Sequence, residues 1–112
     1  MTKYLISFPS EAMVFTEEDL PALTASTHAA IAEAKAAGVY VFGGGIDESV
    51  APVLVAADGS TSGDLYPGSN VTGGWLVLEL PTHEDAVAWA QKFAVACRCA
   101  QEVRAFGYDA ES

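Results

Sequence analysis

His28 is the only histidine of this sequence that falls inside a helical pattern, four residues after Thr24, three before Ile31 and one position beyond the apolar stripe. An imidazole ordinarily titrates near neutral pH, so a half-buried histidine facing a cleft can move protons. It then needs a carboxylate partner. Asp47, just after the run Gly43-Gly44-Gly45, and Asp64, in a long polar segment, are the candidates. His28, Asp47 and Asp64 are therefore the candidate catalytic set. The alternative is a helix-surface histidine beside Thr24 and Lys35 with no role. His83 lies in a helix first turn, where nothing recommends it beyond capping.

Three further residues are candidates for holding a substrate: Gly44, Tyr66 and Arg104. The glycine run lacks the spacing of a dinucleotide fingerprint, and no phosphate-loop lysine follows it. Glycines at a strand end allow close backbone approach, which a ligand, a bulge or a packed aromatic can use. Tyr66 lies in a long loop with Asp64 and Asn70, and loops carry sites more often than cores do. Arg104 can hold an anionic group or pair with Glu102 or Glu79. Trp75, Trp89 and Phe93 fit a core or an interface. Cys97 and Cys99 flank Arg98 and fall short of the four ligands of a structural zinc. They read as reduced thiols not bonded to each other, and no cofactor or metal is called for.

The elements that must position these residues follow from periodicity. Lys3–Phe8 alternates as a strand and stops at Pro9. Residues 16–37 read as a helix whose true start lies nearer Asp19, with Thr16 and Asp19 as a capping pair and Gly38 as its end. Leu20, Leu23, Thr27, Ile31 and Ala34 form its stripe. Val39–Phe42 is a second strand. Residues 50–57 read as a third, ended by Asp58-Gly59. Residues 60–73 read as an irregular excursion with a short strand around Asp64-Leu65-Tyr66. Gly74–Leu80 is the strongest strand, and its continuous apolar run predicts burial on both faces. Thr82 caps a second helix with Asp85, striped by Ala86, Trp89, Ala90, Phe93 and Cys97. Glu102–Phe106 closes the chain's regular structure. The order β-α-β-β-β-α-β predicts an α+β, ferredoxin-like sheet with both helices on one face. Its other face needs cover, and two sheets packed face to face would make a dimeric α/β barrel.

Composition bounds the rest. The chain has 112 residues, 51% of them hydrophobic, enough for one domain with its own core and not for a disordered chain. Fifteen acidic residues against five basic ones give a net charge of −10. Such a field repels phosphates and anionic lipid, so neither nucleic acid nor membrane is expected as a partner. No apolar run approaches the roughly 20 residues of a membrane span, and the cytoplasm is the expected location. The expected partners are a second copy and a small-molecule ligand.

Four features in order carry a family resemblance. They are the opening strand Lys3-Tyr4-Leu5-Ile6, and a helix running through Ala36-Ala37-Gly38 to Gly43-Gly44-Gly45. Next come Gly63-Asp64-Leu65-Tyr66-Pro67 and Gly73-Gly74-Trp75-Leu76-Val77-Leu78-Glu79. Last are the helix Thr82-His83-Glu84-Asp85-Ala86-Val87-Ala88-Trp89-Ala90 and the strand Glu102-Val103-Arg104. On these the chain resembles the YCII-related family, in particular its DGPF subgroup, over nearly its full length. The Asp-Gly-Pro-Phe signature is replaced by Asp64-Leu65-Tyr66-Pro67, and the third strand lacks the arginine often seen there. The resemblance implies a dimeric α/β-barrel fold. It also implies, from members with a His and Asp pair proposed as an acid–base site, a histidine near the place of His28. Two functions follow as expectations. One is a cofactor-free small-molecule enzyme of isomerase, lyase or hydrolase type. The other is a non-catalytic dimeric module that binds a metabolite or another protein.

Overall fold

A computed structural model describes all 112 residues. Six strands and two helices follow one another as β1 (Thr2–Phe8), α1 (Leu20–Ala36), β2 (Tyr40–Gly45), β3 (Leu54–Val55), β4 (Thr61–Ser62), β5 (Gly74–Leu80), α2 (His83–Cys97) and β6 (Glu102–Ala105), with one 3-10 turn at Ser10–Ala12. Four strands make an antiparallel sheet in the order β2-β5-β1-β6. This is the ferredoxin-like α+β arrangement expected from the element order. No helix is long and apolar enough to cross a membrane.

β5 alternates, and the alternation sorts the core. Leu76, Leu78 and Leu80 are buried with Tyr4 and Ile6 of β1, under Leu23, Ala30 and Ala34 of α1 and Ala86, Ala90, Phe93, Ala96 and Cys97 of α2. Trp75, Val77 and Glu79 point to the opposite face and stay only half-buried. Burial on both faces was the expectation; the far face is covered only in part, with Ser7 4% exposed while Trp75 and Val77 stay half-buried beside Asn70–Thr72 and the chain's last residues. Along α1 the buried line also differs from the expected stripe. Ala30 is buried where Ile31 is half-buried, and Leu20 is 46% exposed. Alanines let α1 approach closely, and the larger Ile31 is left to line a cleft.

Local signals set the helix ends. The Thr16 N–H donates to the Asp19 carboxylate at 3.2 Å, so only half of the expected capping pair forms. The helix proper begins at Leu20, with Pro21 in its first turn where no N–H is missed. At α2 the Asp85 N–H donates to the Thr82 hydroxyl at 3.1 Å. α2 ends at Arg98 in the left-handed region, φ 58°, and Arg98 reaches Asp19 at 3.6 Å across the helix pair. The Ser26 hydroxyl donates to the Ala96 carbonyl at 2.7 Å, and Lys92 pairs with Glu33, so the two helices are tied at several levels.

The region between β2 and β5 departs most from expectation. The strand expected over residues 50–57 shrinks to Leu54–Val55, which pairs only with Thr61–Ser62 around the Asp58-Gly59 turn. Pro52 cannot donate to a ladder, and no free sheet edge meets the segment. No strand forms at Asp64–Tyr66, where the chain turns through Tyr66–Ser69. Residues 46–72 thus form an arm. Hydrogen bonds tie its ends to the body, from the Ile46 N–H to the Gly73 carbonyl at 2.8 Å, Ser10 to Glu48 and Asn70 to Glu11. The radius of gyration, 15.8 Å, exceeds the about 13 Å of a compact chain of this length. Gly73 closes the arm at φ +73°, where a Cβ would stand 2.1 Å from the Phe8 carbonyl oxygen, so no other residue fits there without backbone movement.

Leu78 is fully buried at the centre of the sheet and Val95 is 76% exposed on α2. Urea unfolding of Leu78→Ala is expected to show a loss of about 2–5 kcal/mol. Val95→Ala is expected to stay within about 0.5 kcal/mol of the parent chain. Equal effects would contradict the placement of β5.

Candidate functional site

Where α1 leans over the glycine-rich end of the sheet, a cleft of about 360 Å³ opens. Its making is a matter of register. Gly45 pairs with Gly74 and Gly43 with Leu76, on the face that carries the helices. Phe8, opposite Gly74, closes one side. Gly45 leaves this face open, whereas the Phe8 ring lies across Gly74, 2.7 Å from where a Cβ would stand; Thr27, His28 and Ile31 of α1 line the cleft with Phe93, Cys97 and Gln101.

His28 stands at this mouth. It is exposed, and no hydrogen bond or ion pair in the chain engages it. The pairing expected with Asp47 or Asp64 does not form within one chain. Asp47 lies two residues past Gly45 but outside the lining. Its carboxylate accepts the Ser49 hydroxyl at 2.6 Å and the Ser49 N–H at 3.0 Å. These bonds hold its carboxyl below the usual carboxylate range, which makes it a weaker base. Asp64 and Tyr66 are exposed on the arm. Arg104 lies on the bare sheet face, 3.4 Å from Glu102, and faces a different hollow with Asn70 and Trp75. Of the six candidates, His28 and Gly44 meet at the cleft, and the other four do not.

The cleft is distinctive in charge. None of the fifteen acidic residues lines it. A larger hollow of about 470 Å³ beside the chain's last residues includes Glu79 and Asp109, and the one beneath the arm's return includes Glu102. Of these three hollows, only the His28 cleft has a histidine in its lining and no carboxylate. No three His, Cys, Asp or Glu side chains are grouped so as to hold a metal ion.

Sequence reading missed Thr27, Cys97 and Gln101 as lining, and Gly45 and Gly74 as cross-strand neighbours at the cleft. The Thr27 hydroxyl lies 3.6 Å from the Cys97 sulfur, and the Gln101 amide nitrogen donates to the Cys99 carbonyl at 3.1 Å. Both cysteines are free thiols. Burial pushes the Cys97 thiol up, partly offset by Thr27. Burial also raises Cys99, with the neighbouring Cys97 adding to it and Gln101 opposing. Thr27 stands in the helical stripe read for α1, which turns it toward the core. The glycine pair could be found only by knowing the β2–β5 register.

The fold is shared with a solved enzyme. The chain is similar to 5-chloro-2-hydroxyhydroquinone dehydrochlorinase (TftG) from Burkholderia phenoliruptrix AC1100, solved in complex with 2,5-dihydroxybenzoquinone. The two share 16% sequence identity over 97% of each chain, at a TM-score of 0.54. No protein-family model and no curated protein matches the chain.

The raised thiols give an expected reactivity. Near pH 8, iodoacetamide should alkylate the folded protein more slowly than free cysteine, with Cys99 ahead of the buried Cys97, because the thiolate is the reacting form. Thr27→Val removes the bond that favours the Cys97 thiolate and should slow Cys97 further. Peptide mass mapping over time reads both. Alkylation of Cys97 at the rate of an unfolded control would contradict the buried environment.

Proposed function

We propose that this protein is a cofactor-free small-molecule enzyme that works as a homodimer, with His28 as its acid–base group. The observation that carries the reading is the position of His28, the one imidazole lining a largely apolar, carboxylate-free cleft. Proton transfer to or from a bound small molecule suits isomerase, lyase or hydrolase chemistry. That a dehydrochlorinase of the same fold binds a dihydroxyquinone supports small-molecule chemistry on this architecture, though fold alone does not assign a reaction. Membership of the YCII-related family, DGPF subgroup, as a single domain over residues 1–112, belongs to the same proposal. So do a cytoplasmic location and action without nucleic acid or membrane.

The dimer rests on the bare sheet face. Tyr4, Ile6, Phe8 and Tyr40 face the helices, and on the other face Phe42 is exposed while Leu5, Trp75 and Val77 are half-buried. Phe42 is 65% exposed. Lys3 with Glu79 and Arg104 with Glu102 flank this patch as mixed charges, which suit a self-complementary rim. A second copy packed there would bury roughly 1,600 Å² or more. For His28 to gain the carboxylate it lacks in its own chain, the second copy's arm must reach around the sheet end at Gly45 and Gly74 to the helix side, bringing Asp47 or Asp64 with it. Arg104 and Tyr66 would then serve at that interface-side rim, with Gly44 in the cleft itself.

Two measurements test this. Light scattering at micromolar concentration should return twice the 11.7 kDa chain mass. A monomer would remove the dimer and the borrowed carboxylate together. For any turnover found by screening small molecules, His28→Ala should abolish it with the thermal midpoint nearly unchanged, since an unbonded surface side chain contributes less than about 0.5 kcal/mol. Ligand binding in the cleft with no turnover by the parent protein would overturn the enzyme in favour of a binding module.

A further inference from the structure

The far face of the sheet holds a hollow of about 330 Å³ beneath the arm's return. Register places its lining. Ser7 of β1 stands opposite both Trp75 of β5 and Glu102 of β6, and Leu5 stands opposite Arg104, so strand alternation turns all five to this side. Ser7 is the unusual member. It is 4% exposed and is the one buried polar residue of the chain. Its hydroxyl makes no hydrogen bond to the chain, and no fully sealed polar side-chain atom lacks a partner, so this oxygen opens into the hollow. A hydroxyl withdrawn from bulk water in this way has bonds to give to whatever enters.

Two opposite charges stand beside it. Arg104 and Glu102 lie two residues apart on β6, and their one contact is 3.4 Å long between side chains that are each 59% exposed. Such a pair contributes little and opens readily. It leaves most of the guanidinium fork free for a ligand carboxylate, to which the Ser7 hydroxyl can also donate. Glu102 offers its own carboxylate to a ligand ammonium. Asn70 spends its amide nitrogen on Glu11 at 3.2 Å, which leaves its carbonyl oxygen to accept as well. The Trp75 indole N–H is spent on the Thr72 carbonyl at 3.0 Å, so that ring offers apolar surface, continued by Leu5, Pro9 and Val71.

A cation and an anion side by side over an apolar wall match a molecule with both charges at one end and an apolar tail. The net charge of −10 sharpens the choice. It repels a simple anion from Arg104 and draws a simple cation to any of the fifteen acids, while a zwitterion carries no net charge for the field to act on. We propose that this hollow binds a free α-amino acid with an apolar side chain. Its carboxylate sits on Arg104 and Ser7, its ammonium on Glu102 and Asn70, and its side chain on Trp75. The proposal goes beyond the enzymatic reading and uses nothing of the His28 cleft.

Backbone-amide NMR of the full chain reads the outcome. Three probes are titrated to millimolar levels at neutral pH and constant ionic strength. They are L-leucine, 4-methylpentanoate, which lacks its ammonium, and 3-methylbutylammonium, which lacks its carboxylate. Leucine should shift the amides of Ser7 and Glu102 and the indole N–H of Trp75. Each single-charge probe should bind at least about tenfold more weakly. Arg104→Gln and Glu102→Gln, both at exposed positions, should weaken leucine by about tenfold or more, and Lys3→Gln, the same loss of charge elsewhere on this face, should not. Ser7→Ala should also weaken it, with a thermal midpoint no lower than the parent's, because the hydroxyl removed has no partner in the chain. Equal binding of either single-charge probe, unchanged leucine binding in Arg104→Gln or Glu102→Gln, leucine shifts confined to the His28 cleft, or no shift with any probe would each overturn the proposal. His28→Ala separates it from the enzymatic reading, because that variant should keep the leucine shifts. Leucine binding without any turnover fails the enzyme and keeps this site; turnover lost in His28→Ala with no leucine binding does the reverse.

Discussion

The antiparallel register of β5 between β1 and β2 is the constraint on which the rest of the molecule depends. It sets Leu78 opposite both Tyr4 and Tyr40, and Leu76 opposite Ile6, so a buried row runs across the sheet under both helices. The same register sets Gly74 opposite Phe8 on one side and Gly45 on the other. Core and cleft are therefore two ends of one strand. A slip by one residue would turn the leucines to the bare face and put Trp75 and Val77 under the helices. Gly73 guards against such a slip. Its positive φ and its approach to the Phe8 backbone fix where the arm stops and β5 starts.

Much of this was legible in the residues. The alternation of β1, the apolar run of β5 and the Thr82–Asp85 cap are local signals, and each is found where its physics places it. Failures came where the outcome depends on a partner that local sequence does not carry. Residues 50–57 have strand-forming valines, but a strand needs an edge, and the only partner available is Thr61–Ser62. The continuous run of β5 reads as buried twice, yet this chain covers one of its faces only in part. Cross-strand neighbours are the hardest case. Gly45 and Gly74 are unremarkable 29 positions apart, and they meet at the cleft only once β2 and β5 are paired.

The distribution of charge follows the same division between body and arm. Between Lys35 and Lys92 there is no basic residue, so the arm carries only acids. Asp47 and Asp58 each accept a bond from a serine hydroxyl and a serine N–H two residues on, which holds their carboxyls below the usual range and keeps them ionised well into mild acid. A carboxylate so engaged stabilises a turn. It is not free to serve as a base unless that turn rearranges.

This bears on how the cleft can work. In one chain His28 meets neither carboxylate proposed for it, and the walls around it hold only neutral polar groups and a thiol kept protonated by burial. An acid–base group in such a setting acts alone or borrows its partner. Acting alone, it demands a substrate with its own acidic or readily protonated oxygen, because no second side chain shares the charge that develops. Borrowing requires a second copy whose arm brings an acid over the cleft mouth. Either way the enclosure matters as much as the histidine. Apolar walls with no carboxylate leave the polar contacts made beside them less screened than at the open surface.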